Sequence, residues 1–214
     1  MPRLPYHGYR DRLTRAIGDL TATDIEGAAT DAARLGAELG ALVNVLGISV
    51  GATMALWLAQ AGSVENAIAV APFLMVPLVP RVPGMLLMRA LAALPNRFLW
   101  WDPRIKERML PVYAYPGFWT HCLAQCAFAG DSIFAAAERT APAATRGTIV
   151  INAQDPAVNN GAARELAARW KRVRTSYDLT VWDDLGKFHD IVDPSTYPAA
   201  QTRVYPRLAA LLEG

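Results

Sequence analysis

Ser49, Asp155 and His189 are the residues of this chain whose types and settings suit nucleophilic chemistry. Ser49 stands in Gly47-Ile48-Ser49-Val50-Gly51, between the apolar run Leu42-Val43-Asn44-Val45-Leu46 and the helix-forming run Ala52-Thr53-Met54-Ala55-Leu56-Trp57-Leu58-Ala59. A serine on a sharp strand-to-helix turn is lifted clear of the sheet beside helix-terminal N–H groups, and glycines two residues before and after let the two elements pass closely. Its hydroxyl is a weak nucleophile until a base removes the proton, so the chemistry requires a histidine and a carboxylate to orient that histidine. The backbone N–H of Val50 is the expected donor to a developing oxyanion. A plainer role for Ser49 is to cap the following helix.

The chain offers three histidines. His7 lies in the turn-rich Pro5-Tyr6-His7-Gly8-Tyr9, and His121 in an aromatic, cysteine-bearing stretch that reads as helix. His189, in Gly186-Lys187-Phe188-His189-Asp190, follows the strand-like Leu179-Thr180-Val181-Trp182. That places it on the carboxyl edge of a sheet, where open parallel sheets collect their ligands and chemistry. Asp155 follows the β-branched run Thr148-Ile149-Val150-Ile151-Asn152 and should reach the same edge, whereas Asp183 and Asp184 compete for the role from the histidine's own loop.

The order Ser49, Asp155, His189 resembles that of the α/β-hydrolase arrangement. Leu4-Pro5-Tyr6-His7-Gly8 through Gly51 is similar to the serine aminopeptidase, monoacylglycerol lipase and lysophospholipase-like branch of that fold. Tyr6 replaces the usual glycine of its turn, and Ala52 the common second glycine after the elbow. The resemblance implies a serine hydrolase of carboxylic esters, with lipophilic acyl esters as small-molecule substrates. In that reading Ser49 is the nucleophile, His189 the base, Asp155 the orienting acid and Val50 N–H an oxyanion donor, with no metal or organic cofactor.

It also implies that the chain starts at the turn after the fourth strand, an N-terminally truncated core without the loop that normally carries the second oxyanion donor. The nucleophile strand would then be left as an edge of a four-stranded sheet, through which the chain is expected either to form a homodimer or to aggregate. The alternative is a catalytically defective fragment acting as a binding or interaction module.

The elements that must position these residues are legible from periodicity. Thr23-Asp24-Ile25-Glu26 carries a capping-box pattern for a helix running to Gly36 or Gly40. Asn66 to Ala71 reads as a strand, Asn160 to Arg172 as an amphipathic helix, and Ala199 to Glu213 as a closing helix. Strands alternating with helices predict an α/β fold, a parallel sheet with helices on both faces, in a single domain over 1–214. Between its second and third strands the chain is broken by Pro72, Pro77, Pro80, Pro83, Pro95, Pro103, Pro111 and Pro116, and holds Trp100, Trp101 and Trp119. In the family that the chain resembles such an insertion forms a lid over the serine, which implies a helical lid insertion at 74–143; its apolar side chains would suit an acyl chain or form the lid's own core.

Composition narrows the classes. Twenty-one basic and 19 acidic residues give a formal charge of +2, and no basic block marks a nucleic-acid surface. Met1-Pro2-Arg3-Leu4-Pro5 lacks the apolar core of a signal peptide, and prolines with Arg81 and Arg89 interrupt Phe73 to Leu94 as a spanning segment. Cys122 and Cys126, beside His121, are too few for a structural zinc site and read as buried reduced thiols, from which a cytoplasmic setting is expected.

Overall fold

The computed structural model describes residues 3–62, 64–108 and 111–213. Met1 and Pro2 of the expected signal-free N-terminus lie outside them.

Short continuous apolar runs and amphipathic stretches of period 3.6 alternate along the chain, and the structure follows them. Helix α1 (Ala22–Leu39) leads to strand β1 (Asn44–Ile48), helix α2 (Val50–Ala61) and strand β2 (Asn66–Val70). After helix α3 (Arg81–Ala93) come the short strands β3 (Phe98–Trp100) and β4 (Gly117–Trp119), then helix α4 (Thr120–Ala137). Strand β5 (Arg146–Asn152), helix α5 (Asn160–Lys171), strand β6 (Tyr177–Trp182) and helix α6 (Tyr205–Glu213) complete the order. The first helix is capped two residues earlier than its sequence pattern suggested. Thr21 is the N-cap, accepting from Asp24 N while the Asp24 carboxylate accepts from Thr21 N. Aspartate at the third helical position closes the same reciprocal pair that glutamate closes elsewhere.

The main sheet has four parallel strands in the order β1-β2-β5-β6. All five residues of β2 are buried, as the β-branched and alanine-rich sequence of a central parallel strand demands. Helices cover both faces. A Cβ on Gly36 of α1 would meet the Val43 side chain at 3.1 Å, whereas the side chain of Asn66, on the opposite pleat, donates to Leu211 O of α6 at 3.2 Å. Strand β1 is an edge among the described residues, and Leu46 within it remains 39 % exposed.

Between β2 and β5, the sequence pattern missed the antiparallel β3–β4 pair, which is rich in aromatic side chains: Phe98 packs edge-on with Trp100 and Trp119 at centroid distances of 5.0 and 5.6 Å. Arg81 at the start of α3 ties the segment to the core, bonding Asp131 of α4 at 2.7 Å and lying 4.2 Å over the Phe134 ring. Helix α4 is itself a core element, with Ala124, Ala127, Ala129, Gly130, Ile133 and Phe134 all buried. Among the described residues, no helix is long and apolar enough to cross a membrane.

Candidate active site

Ser49 sits between the last residue of β1 and the first of α2 with φ 56° and ψ −118°. For a residue with a Cβ that conformation costs on the order of 1–3 kcal/mol, and it persists where the surroundings over-determine it. Here the amide of Ser49 donates to Val70 O at 3.0 Å, and its carbonyl accepts from the amides of Thr53 and Phe73, each at 3.1 Å. The backbone on either side of the serine is thus held by α2 and by the loop after β2. Its side chain makes no capping bond to the helix.

The hydroxyl instead meets His189. Ser49 Oγ lies 2.9 Å from His189 Nε2, and His189 Nδ1 lies 2.8 Å from Asp155 Oδ2. A carboxylate only accepts, so Nδ1 carries the ring proton and donates it to Asp155, leaving the Nε2 lone pair for the serine proton. The Asp155 side chain is 0 % exposed, and its second oxygen accepts from Ala157 N at 2.8 Å. The three side chains arrive from the carboxyl ends of β1, β5 and β6.

Of the two competing carboxylates, that of Asp184 is occupied elsewhere. Asp184 binds Arg203 at 2.7 Å and Arg207 through both oxygens at 2.9 and 2.6 Å. The Arg207 guanidinium holds this carboxyl well below the usual carboxylate range. Asp183 offers its backbone carbonyl to Gln154.

Val50 occupies the first position of α2, where a backbone N–H has no intrahelical acceptor. A cavity of about 480 Å³ opens beside it, with Ser49, Val50, His189 and Asp190 on its wall. Most of the remaining wall is apolar, from Ile17, Leu20, Ile48, Phe73, Phe118 and Leu123.

Several lining residues carried no functional signal in the sequence. His7 and Tyr115 share the cavity, in edge-on contact at 5.5 Å, and His7 Nδ1 donates to Pro5 O. The Tyr115 hydroxyl accepts from the amides of Gly8 and Tyr9, which fixes the turn where Tyr6 takes φ 60° in place of the glycine usual there. Cys122 and Cys126 line the same cavity as free thiols. The hydrogen bond between them lowers the Cys122 thiol's pKa and, with burial, raises that of Cys126. Among the described residues no cluster of histidine, cysteine and carboxylate could hold a metal ion, and His121 is turned away, bonded to Leu94 O at 2.7 Å.

Residues 1–201 match the sequence model described as "Alpha/beta hydrolase family". The chain belongs to that family. No curated protein matches this α/β-hydrolase family member by sequence. Among solved structures, it is similar to one described under the metagenome-derived lipolytic enzymes LipS and LipT (TM-score 0.70, 18 % identity, covering 100 % of this chain and 81 % of the other). A soluble variant of the monoglyceride lipase of Saccharomyces cerevisiae, bound to a substrate analogue, matches with TM-score 0.68 at 11 % identity over 98 % of this chain and 75 % of the other. The monoacylglycerol lipase of Paleococcus ferrophilus matches with TM-score 0.65 at 15 % identity over 91 % and 76 %. At these identities the likeness is one of fold.

Proposed function

We propose that the chain is a serine hydrolase of carboxylic esters with lipophilic acyl groups. The observation that carries the reading is the unbroken chain of hydrogen bonds from Ser49 through His189 to Asp155 at the wall of a mostly apolar cavity. Its lipase and esterase structural neighbours agree with it.

In this mechanism Ser49 Oγ attacks the ester carbonyl as its proton passes to His189 Nε2. Asp155 stabilises the imidazolium and keeps it in register. The carbonyl oxygen becomes an oxyanion facing the Val50 N–H. Collapse expels the alcohol, which takes the proton from His189 and leaves an acyl-Ser49 ester. Water, deprotonated by the same histidine, then releases the carboxylic acid and restores Ser49.

The chain acts as a single domain in this reading, with residues 74–143 as the lid insertion: its helix α4 belongs to the core and brings Leu123 to the cavity wall, and the part before α4 supplies Trp101, Tyr115 and Phe118. Two free thiols suit the reducing cytoplasm. The β1 edge is uncharged, and a second copy of the chain is its proposed partner.

That open edge also favours a second reading, a family member that binds without turning over. Fluorophosphonate labelling separates the two. A hydrolase is labelled at Ser49 and hydrolyses short-chain p-nitrophenyl esters, and Ser49→Ala abolishes both. Failure of the native chain to label, or labelling confined to another serine such as Ser63, which lies outside the described residues, overturns the catalytic reading.

A further inference from the structure

Strand β5 is apolar through Ile149, Val150 and Ile151 and then ends on Asn152, an amide with 0 % exposure. A buried side-chain amide must find partners for its two donors and its carbonyl oxygen, because each group left unpaired keeps the full cost of its lost hydration. Asn152 finds them in the two loops that carry the candidate catalytic residues. Its Nδ2 donates to Gly186 O at 2.8 Å and to Phe188 O at 2.7 Å, the second of these being the peptide immediately before His189. Its Oδ1 accepts from Gln154 N at 3.2 Å, immediately before Asp155. The main-chain oxygen of Asn152 accepts from Asp155 N at 3.1 Å and from the Asn160 side chain at 2.7 Å.

One residue therefore spans the acid's loop and the histidine's loop from beneath. The histidine loop has other anchors: Asp184 on Arg203 and Arg207, and the Phe188 ring against Tyr197 at 5.0 Å. These fix its base and one side chain. Only the Asn152 bonds among them act on the backbone next to His189 and on the Asp155 turn together. An apolar residue of similar size would fill the same space and satisfy none of these groups.

We infer that Asn152 is a positioning residue, which sets the His189 ring at bonding distance from Asp155 by clamping the two loops to each other. The inference rests on the hydrolase reading for its kinetic consequence, and on geometry alone for its spectroscopic one. Displacements of about 1 Å in a catalytic constellation cost on the order of a hundredfold in rate. The Asn152→Leu variant should therefore lose roughly a hundredfold in kcat for a p-nitrophenyl ester while KM changes little, because the cavity wall is untouched.

The second readout is proton NMR of the intact chain, in which the His189 Nδ1–H donated to Asp155 should give a slowly exchanging downfield resonance. With three histidines in the chain its assignment by His189→Gln is direct. That resonance should broaden or vanish in Asn152→Leu while circular dichroism reports an intact fold. Should the leucine variant fail to fold, Asn152→Ser, which keeps one donor, should show the same two losses in weaker form. A resonance and a kcat that match the native chain in the folded variant overturn the proposal. An inactive native chain defeats the hydrolase reading instead, and the resonance still decides the role of Asn152.

Discussion

A Cβ on Gly47 would stand 2.0 Å from the carbonyl oxygen of Gly51, backbone against backbone. The reverse does not hold, because a Cβ on Gly51 would meet nothing within 4 Å. The two glycines that flank Ser49 look equivalent in sequence, yet the close passage of strand and helix depends on the first alone. The hydroxyl's position follows from that passage, since Ser49 is the residue at which the chain reverses.

Gly47→Ala should therefore be severely destabilising, in the range above about 4 kcal/mol that signals a backbone clash, and should abolish fluorophosphonate labelling with it. Gly51→Ala, in the first turn of α2, should be neutral or stabilise by up to about 1 kcal/mol through the lower entropy of the unfolded chain. Thermal denaturation of the two variants beside the native chain checks this. Equal losses at both positions would refute the steric account.

Asp155 and Asp184 separate in the same way. Asp155→Asn keeps the shape but offers an amide where His189 Nδ1–H needs an acceptor. The ring is then free to take the wrong tautomer, and kcat should fall by roughly three to four orders of magnitude with KM nearly unchanged. Asp184→Asn gives up ion pairs to Arg203 and Arg207 on the protein surface and should retain labelling at Ser49. Steady-state kinetics and labelling of both variants decide which carboxylate serves the histidine.

Much of this is legible in the amino-acid sequence. Leu42 to Leu46 overlaps β1, and Asn66 to Ala71, Thr148 to Asn152 and Leu179 to Trp182 overlap β2, β5 and β6; the signal is strongest for β2 and β5, because a strand buried on both faces must be continuously apolar or β-branched. Ser49, Asp155 and His189 could be picked out because each lies on the turn or loop that follows such a run. What stayed hidden depends on contacts distant in sequence. The β3–β4 pair lies among prolines and gains its partner across a long loop, and His7 lines the cavity on a turn that Tyr115, more than a hundred residues away, bonds at Gly8 and Tyr9. Asn152 read as the tail of a strand, since nothing local announces that its amide serves residues 186 and 188.

Tyr177 gives the fold an alkaline limit. It is 2 % exposed at the start of β6 and donates to Ala144 O at 2.8 Å, and burial pushes its pKa from 10.0 up to about 12, against a smaller opposing pull from Arg174. A group with a raised folded-state pKa favours the protonated native form. Its contribution is complete below pH 10, where the unfolded chain is also protonated, and is lost as pH rises towards about 12. Denaturant titrations should show stability falling between those values. Tyr177→Phe, less stable at pH 8 for want of its hydrogen bond, should lose less over that window. An equal fall in both proteins would remove Tyr177 as the cause.

The last prediction concerns the open side of the sheet. Register with β2 uses alternate peptides of β1, since Ser49 N bonds Val70 O and Val43 O accepts from Glu65 N. The N–H and C=O groups of Asn44, Leu46 and Ile48 therefore point away from the sheet. An antiparallel second copy centred on Leu46 would pair Leu46 with its own equivalent and Asn44 with Ile48, covering Leu46 with an identical leucine. No charge, proline or bulge in β1 opposes such pairing. Light scattering should accordingly report about twice the 23.2 kDa chain mass at micromolar concentrations or above, and Leu46→Lys, which sets two ammonium groups against each other across the twofold axis, should return it to one. A native chain that stays monomeric at that concentration, or a lysine variant that dimerises equally well, would show that the β1 edge is not where copies meet.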